Sequence, residues 1–305
     1  MGNHLMSSNT IQRGGTELMG NRINSLPSEL LSHFQIIHSR VRDIDPKKKK
    51  IYVLHDLAGD PEVQHLKNGG WQKFDKLVFV SHWQQQMYNA YLGVPFSAGV
   101  VLHNAVEPFF PQPIISDKIR LIYFSTPHRG LELLYLAYDH LYKIFGDSIE
   151  LNVFSSFDLY GWAERDKPYE SLFAKLKAHP GINYSKSVSN SAIREELGRS
   201  SILAYPSIWQ ETSCLVLIEA MCAGLTCVHP SLAALPETSM GLTSMYDYTE
   251  DNQVHLQRFT AALNDAIQNA MYGAHTPKAI TKLANEAYSW NLRKYQWQNM
   301  LTLLV

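Results

Sequence analysis

The sequence predicts an α/β protein made of two mostly parallel sheets, the first of them reduced. Three observations carry that prediction. Apolar runs of a few residues alternate with longer helical stretches, the pattern of strands that return in parallel through covering helices. Pro108, Pro111 and Pro113 interrupt the series, break regular structure and read as a connector between two units. A length of 305 residues is enough for two modest α/β domains.

In the first unit, residues 1–108, Gly14-Gly15-Thr16-Glu17 leads into a helical stretch over 18–31. Apolar runs at 34–37, 51–54, 76–80 and 100–102 read as strands, with a helix over 83–92 between the last two. Met1 to Gln12 lacks a continuous apolar run, and 34–54 leaves no room for a helix between its two strands. In the second unit, residues 109–275, strands are expected at 119–124, 151–154, 182–184, 202–205 and 225–228. Helices are expected over 131–145, 169–178 and 193–198. A last helix over 276–304 carries Tyr288-Ser289-Trp290.

Composition narrows the class. Hydrophobic content of 45% and charged content of 18% are those of an ordinary globular protein. A net charge of −1 gives no general pull toward nucleic acid or anionic membrane. Cys214, Cys222 and Cys227 form no C-x-x-C pair and read as small buried apolar residues. An odd cysteine count without a secretory signal points to a reducing, cytoplasmic setting. No apolar run reaches the roughly 18 residues needed to cross a bilayer.

The most informative stretch is Glu211-Thr-Ser-Cys-Leu-Val-Leu-Ile-Glu219-Ala-Met-Cys-Ala-Gly224. One acid precedes an apolar helix and the second lies two turns inside it, about 12 Å along the axis. Between them, at Thr212, Ser213, Cys214 and Leu215, the unpaired N–H groups of a helix start suit a diphosphate. Carboxylates accept hydrogen bonds from hydroxyls, so a sugar fits at Glu211 and a ribose at Glu219. Ser201 to Ser207 before the motif and Leu225 to Val228 after it complete a strand–helix–strand unit. Ligands gather at the carboxyl ends of strands in such units, where Glu211 falls.

This stretch, with Pro206-Ser207 ahead of it and Glu219-Ala-Met-x-x-Gly224 within it, resembles the E-x7-E motif of retaining, family-4-type glycosyltransferases. The resemblance implies the GT-B fold: two Rossmann-like parallel-sheet domains facing a cleft, with the last helix crossing back to the first domain. It also implies transfer of a sugar from a nucleoside diphosphate sugar, UDP- or GDP-linked, to a hydroxyl of a glycan or lipid acceptor. No cofactor or metal is implied. Ser125-Thr-Pro-His-Arg129-Gly130 is similar to the family's phosphate site, in which an Arg clamps phosphate oxygens. Many relatives carry a second cation upstream, where this chain has Phe124 or Ser125. Gly14 and Gly15 resemble the glycine loop of the first domain, where missing side chains permit close approach.

His55-Asp56 ends the run 51–54. In similar transferases a His at this strand end faces the donor sugar, through its ring or its carbonyl; Asp56 is placed to orient it or to meet the acceptor. Ser81-His82-Trp83 and Asn104-Ala105-Val106-Glu107 resemble scaffold turns of the family. Asp158 to Trp162 and Tyr184 to Val188 are candidates to border the base. Asp43-Ile44-Asp45 matches a metal-binding D-x-D, but it lies in a polar connector, and the pattern is common by chance. Lys47, Lys48, Lys49 and Lys50 form a basic patch, read either as solvated loop or as a contact for an anionic acceptor. Nucleotide-loop, zinc-protease and serine-hydrolase signatures are absent. Two rivals stay open: an epimerase or hydrolase acting on the nucleotide sugar alone, and a non-catalytic nucleotide-sugar-binding protein.

Overall fold

A computed structural model describes residues 14–109, 117–273 and 278–305. The first sheet consists of β1 (Phe34–His38), β2 (Lys49–Leu54), β3 (Lys76–Phe79) and β4 (Gly99–Val101), in that spatial order. Every pairing is parallel. The helices of this lobe are α1 (Gly14–Asn24), α2 (Ser28–Leu31) and α3 (His82–Leu92). The link from β1 to β2 holds no helix, as the short spacing predicts.

Alternation along the strands divides the apolar residues of this lobe into two cores. Tyr52, Leu54, Leu77 and Phe79 face Tyr88 and Leu92 of α3. Ile51, Val53 and Val78 face Met19 and Ile23 of α1 on the other side.

The second sheet is built from β5 (Ile119–Tyr123), β6 (Ile149–Phe154), β7 (Ile182–Ser185), β8 (Ile202–Ala204), β9 (Thr226–Pro230) and β10 (Ser244–Tyr246). Its order is β10-β9-β8-β5-β6-β7, again all parallel. The order reverses between β5 and β8. A crevice opens outside the carboxyl ends of strands at such a switch point. Around the sheet lie α4 (Leu131–Phe145), α5 (Glu170–Ala178), α6 (Asn190–Leu197), α7 (Leu215–Ala223), α8 (Leu235–Ser239), α9 (Asn252–Met271) and α10 (Lys278–Ala287). The chain ends with α11 (Trp290–Thr302).

Two expected helices are broken. The stretch 18–31 divides at Pro27, which has no N–H to continue the first helix and instead precedes α2. The stretch 276–304, of which 276 and 277 lie outside the described residues, divides at Tyr288-Ser289. There the Ser289 hydroxyl accepts from the Leu292 amide and starts α11 afresh. The break has a use. Val106 N donates to the Tyr288 carbonyl at 2.8 Å and Trp290 N to the Val106 carbonyl at 3.0 Å, so two interlobe crossings run side by side. Beyond them Trp290, Trp297 and Leu301 of α11 complete the core shared with α1 and β2. Pro111, Pro113 and the stretch Met1 to Gln12 lie outside the described residues.

Sequence reading passed over β10, α8 and α9. The last of these is legible in retrospect: Asp251 caps it, accepting from Gln253 N at 2.8 Å and Val254 N at 3.1 Å. His255, Phe259, Leu263, Ile267 and Ala270 then recur at helical spacing on its buried face. The three cysteines are free and buried.

Candidate functional site

A cavity of about 240 Å³ lies between the lobes. Its lining includes Gly14, Gly15, His55, Arg129, Glu211, Thr212, Ser213, Cys214, Leu215 and Glu219. Residues separated by two hundred positions in the chain therefore share one space.

The second lobe supplies most of the polar groups. β8 ends at Ala204, and the following loop carries Glu211 to the mouth of α7. Among the described residues no side chain caps α7, whose N-cap is Cys214, so its first amides face the cavity unclaimed by a side-chain acceptor. Glu219 lies on the second turn. Burial pushes its carboxyl up to about 7, against the opposing pull of Arg194 and Arg22. Glu211 is held from two sides. The Tyr205 hydroxyl donates to its Oε1 at 2.8 Å, and Arg129 Nε lies 2.8 Å from the same oxygen. The Arg129 N–H points off that line, so this contact is coulombic rather than a hydrogen bond. Arg129 loses hydration through burial, yet Glu211 and the nearby Tyr205 and Tyr160 keep it firmly protonated. Its Nη1 also donates to Thr126 Oγ1 at 2.7 Å.

Arg129 reaches this position through Gly130. Gly130 has φ +95°, and a Cβ there would stand 2.1 Å from the Pro206 carbonyl oxygen. Only glycine lets the turn after β5 pass so close to the loop after β8.

The first lobe answers with small and neutral groups. Gly14 has φ +83°, and a Cβ on it would meet the Tyr160 ring at 2.4 Å. A Cβ on Gly15 would meet Leu215 Cδ1 at 2.7 Å. The pair opens α1 and brings its first turn against the second lobe. His55 follows β2, and its carbonyl accepts from Thr212 Oγ1 at 2.9 Å, a direct bond across the cleft. Its ring stacks on His38 at the end of β1, with centroids 5.9 Å apart. Burial, reinforced by His38, depresses His55 to about 3; burial depresses His38 to about 4. Both imidazoles are neutral at pH 7. Asp56 does not orient His55: its carboxylate turns to Arg40 Nη1 at 3.1 Å.

Sequence reading missed Tyr205 and the cations around Glu219. A buried Tyr at a strand end must place its hydroxyl on an acceptor, and that signal was available in the run 202–205. Arg22 reaches the Ala105 carbonyl, while Arg194 donates to the carbonyls of Glu107 and Pro108 at 3.2 and 3.0 Å. Neither lines the cavity, and among the described residues Arg129 is the cation that does. Leu159, Tyr160, Ser187 and Val188 line it as well, from the two segments suggested for the base. The Lys47–Lys50 patch lies elsewhere: Lys50 faces Asp75 at 3.8 Å and Lys49 reaches the Leu304 carbonyl. Asp45 closes its own turn onto Lys47 N at 2.9 Å.

Residues 114–237 match the sequence profile described as "Glycosyl transferases group 1". A search of curated proteins returns no match. Among solved structures, a glycosyltransferase from Rickettsia africae is 15% identical with a TM-score of 0.68, covering 99% of this chain and 83% of its own. The sucrose-phosphate synthase of Thermosynechococcus elongatus is 13% identical with a TM-score of 0.64, covering 85% and 68%. HepE of Anabaena, solved with UDP-glucose, is 15% identical with a TM-score of 0.61, covering 84% and 72%. Two parallel-sheet lobes facing a cleft are the GT-B architecture of such structures.

Proposed function

We propose, from the premise that this chain is a GT-B glycosyltransferase with a group 1 domain, that it transfers a sugar from a nucleoside diphosphate sugar to an acceptor hydroxyl with retention. The observation that carries the reading is the uncapped start of α7, opening into the cavity with Glu211 before it, Glu219 within it and Arg129 alongside.

The diphosphate would sit on the amides of Ser213 to Val216, where the helix dipole favours negative charge. Arg129 would face its outer oxygens. Glu219 would accept from the ribose hydroxyls, and Glu211 from a sugar hydroxyl. In the reaction the bond between the anomeric carbon and the terminal phosphate oxygen breaks, and its electron pair leaves with the diphosphate. The acceptor oxygen bonds to the same face of that carbon, and its proton passes to the departing phosphate oxygen. Charge grows on the leaving group, so donors already aimed at it lower the barrier without a metal ion. On the acceptor side the neutral ring of His55, which lines the cavity, can hydrogen-bond a hydroxyl without attracting the phosphates. HepE was solved with UDP-glucose, which puts UDP-sugars first among donors to test; a glycan or lipid hydroxyl is the acceptor class.

The test pairs binding with turnover over a panel of UDP- and GDP-sugars and acceptors. Glu211→Gln should lower transfer by at least about a hundredfold while UDP still raises the melting temperature. Glu219→Gln should weaken that UDP-induced shift itself. Wild-type turnover in the Glu211 variant would remove the sugar-site assignment.

A further inference from the structure

We propose that His82, His103 and Glu237 form a transition-metal site that bridges the two lobes, separate from the cavity. His82 opens α3 and His103 follows β4, both in the first lobe; Glu237 belongs to α8 in the second. Their ligating atoms all lie within 4.8 Å of one another. None of the three lines the cavity.

The distances suit a metal. His82 Nδ1 and His103 Nε2 each stand 2.9 Å from the same oxygen, Glu237 Oε1. In a tetrahedral zinc site with bonds near 2.0–2.1 Å, nitrogen and oxygen ligands are about 3.3 Å apart. A shift of a few tenths of an ångström in each contact therefore makes room for an ion.

Crowding at one oxygen favours the exchange. Oε1 accepts from the His82 backbone N–H at 2.8 Å as well as from both rings. Three donors thus converge on an atom with two lone pairs. Among the described residues Oε2 takes only Trp83 N, at 2.9 Å. A divalent cation between the rings and Oε1 replaces two of those hydrogen bonds by two ligand bonds, each ring then carrying its N–H on the nitrogen turned away from the ion. Trp83 N would remain on Oε2 to fix the carboxylate plane, the outer support that ligating carboxylates need.

The His82 side chain is 65% exposed, which leaves a path for the ion and a fourth position for water. Imidazole with one carboxylate suits zinc, nickel or copper rather than magnesium or calcium.

The full chain, stripped with chelator, is titrated with Zn2+ by calorimetry and with Co2+ by visible absorption. One equivalent should bind with a dissociation constant on the order of 1–10 µM, and Co2+ should show the intense bands of tetrahedral coordination. His82→Asn, His103→Asn and Glu237→Gln, each checked for folding by circular dichroism, should each weaken binding at least tenfold. Amide exchange in the first turn of α3 and in α8 should slow together on adding Zn2+. Absence of binding at about a hundred times that concentration would overturn the site. Wild-type affinity in His103→Asn would do the same. Undiminished affinity in Glu237→Gln would reduce it to a pair of histidines within one lobe and refute the bridge.

Discussion

The first lobe covers its four-stranded sheet with α1 and α2 on one face, α3 on the other, and α11 from the far end of the chain. The second lobe covers six strands with helices that follow one another in sequence. Its core gathers residues from Val106 to Tyr288 into one cluster, whereas the first lobe divides its apolar residues between two smaller ones. The contrast extends to the cavity. The self-sufficient lobe contributes the charged groups Arg129, Glu211 and Glu219, which must be held against their own desolvation. The borrowed lobe contributes two glycines and the neutral imidazole of His55, which make smaller electrostatic demands on their surroundings. Unequal packing and unequal chemical duty go together here.

Removing the borrowed part should break the comparison most sharply. Trp297 is 1% exposed and sits where α11 meets the first sheet. Trp297→Ala should destabilise the first lobe by about 3–5 kcal/mol and leave the second nearly unaffected. Urea unfolding followed by lobe-resolved hydrogen exchange would reveal it; uniform loss across both lobes would show that they fold as one unit.

A change at Gly130 tests the other side. Gly130→Ala strains a left-handed residue, at about 1–3 kcal/mol, and drives a methyl into the Pro206 carbonyl. Exchange protection should fall in the loop after β8 and at the start of α4, with the first lobe unchanged. The nucleotide-induced rise in melting temperature should fall with it.

Acidity produces the smallest and subtlest effect. His38 and His55 have folded pKa values of about 4 and 3, below the ordinary 6.5. The unfolded chain binds their protons first, so stability is full above pH 6.5 and declines as pH falls toward 3–4. His229, buried in the second lobe and depressed to about 4, adds to that decline. Glu219 acts in the opposite sense. Its folded pKa of about 7 lies above the ordinary 4.5, so its contribution is complete below pH 4.5 and lost as pH rises through 7. Glu219→Gln should therefore steepen the net loss of stability between pH 7 and 4.5, measured by urea titration; an unchanged slope would mean that its carboxyl is not desolvated.

Much of this was legible in the residues because period and punctuation agree. The helix over 131–145 starts after Gly130 and stops before Gly146, and both the apolar spacing and the glycines mark it. The stretch from Glu211 to Gly224 likewise announces a helix with acids at its mouth and on its second turn. What sequence could not supply was direction in space. Nothing local indicates that Arg129 rests on Glu211, that Thr212 bonds the His55 carbonyl, or that Asp56 prefers Arg40 to its neighbour. Those outcomes depend on contacts between lobes and between loops, where the partner is remote in the chain. The broken last helix follows the same rule: it stops at Tyr288 and restarts at Trp290 because Val106, from the other crossing, takes the Tyr288 carbonyl and the Trp290 N–H.

That last arrangement sets an order of events during synthesis. Trp290, Trp297 and Leu301 emerge from the ribosome long after Met19, Ile23 and Ile51, with which they share a core. Until they arrive, one side of the early sheet stays wet, while the later sheet already has most of its own covering. The portion made first should therefore be the portion finished last, and a chaperone would find its grip there.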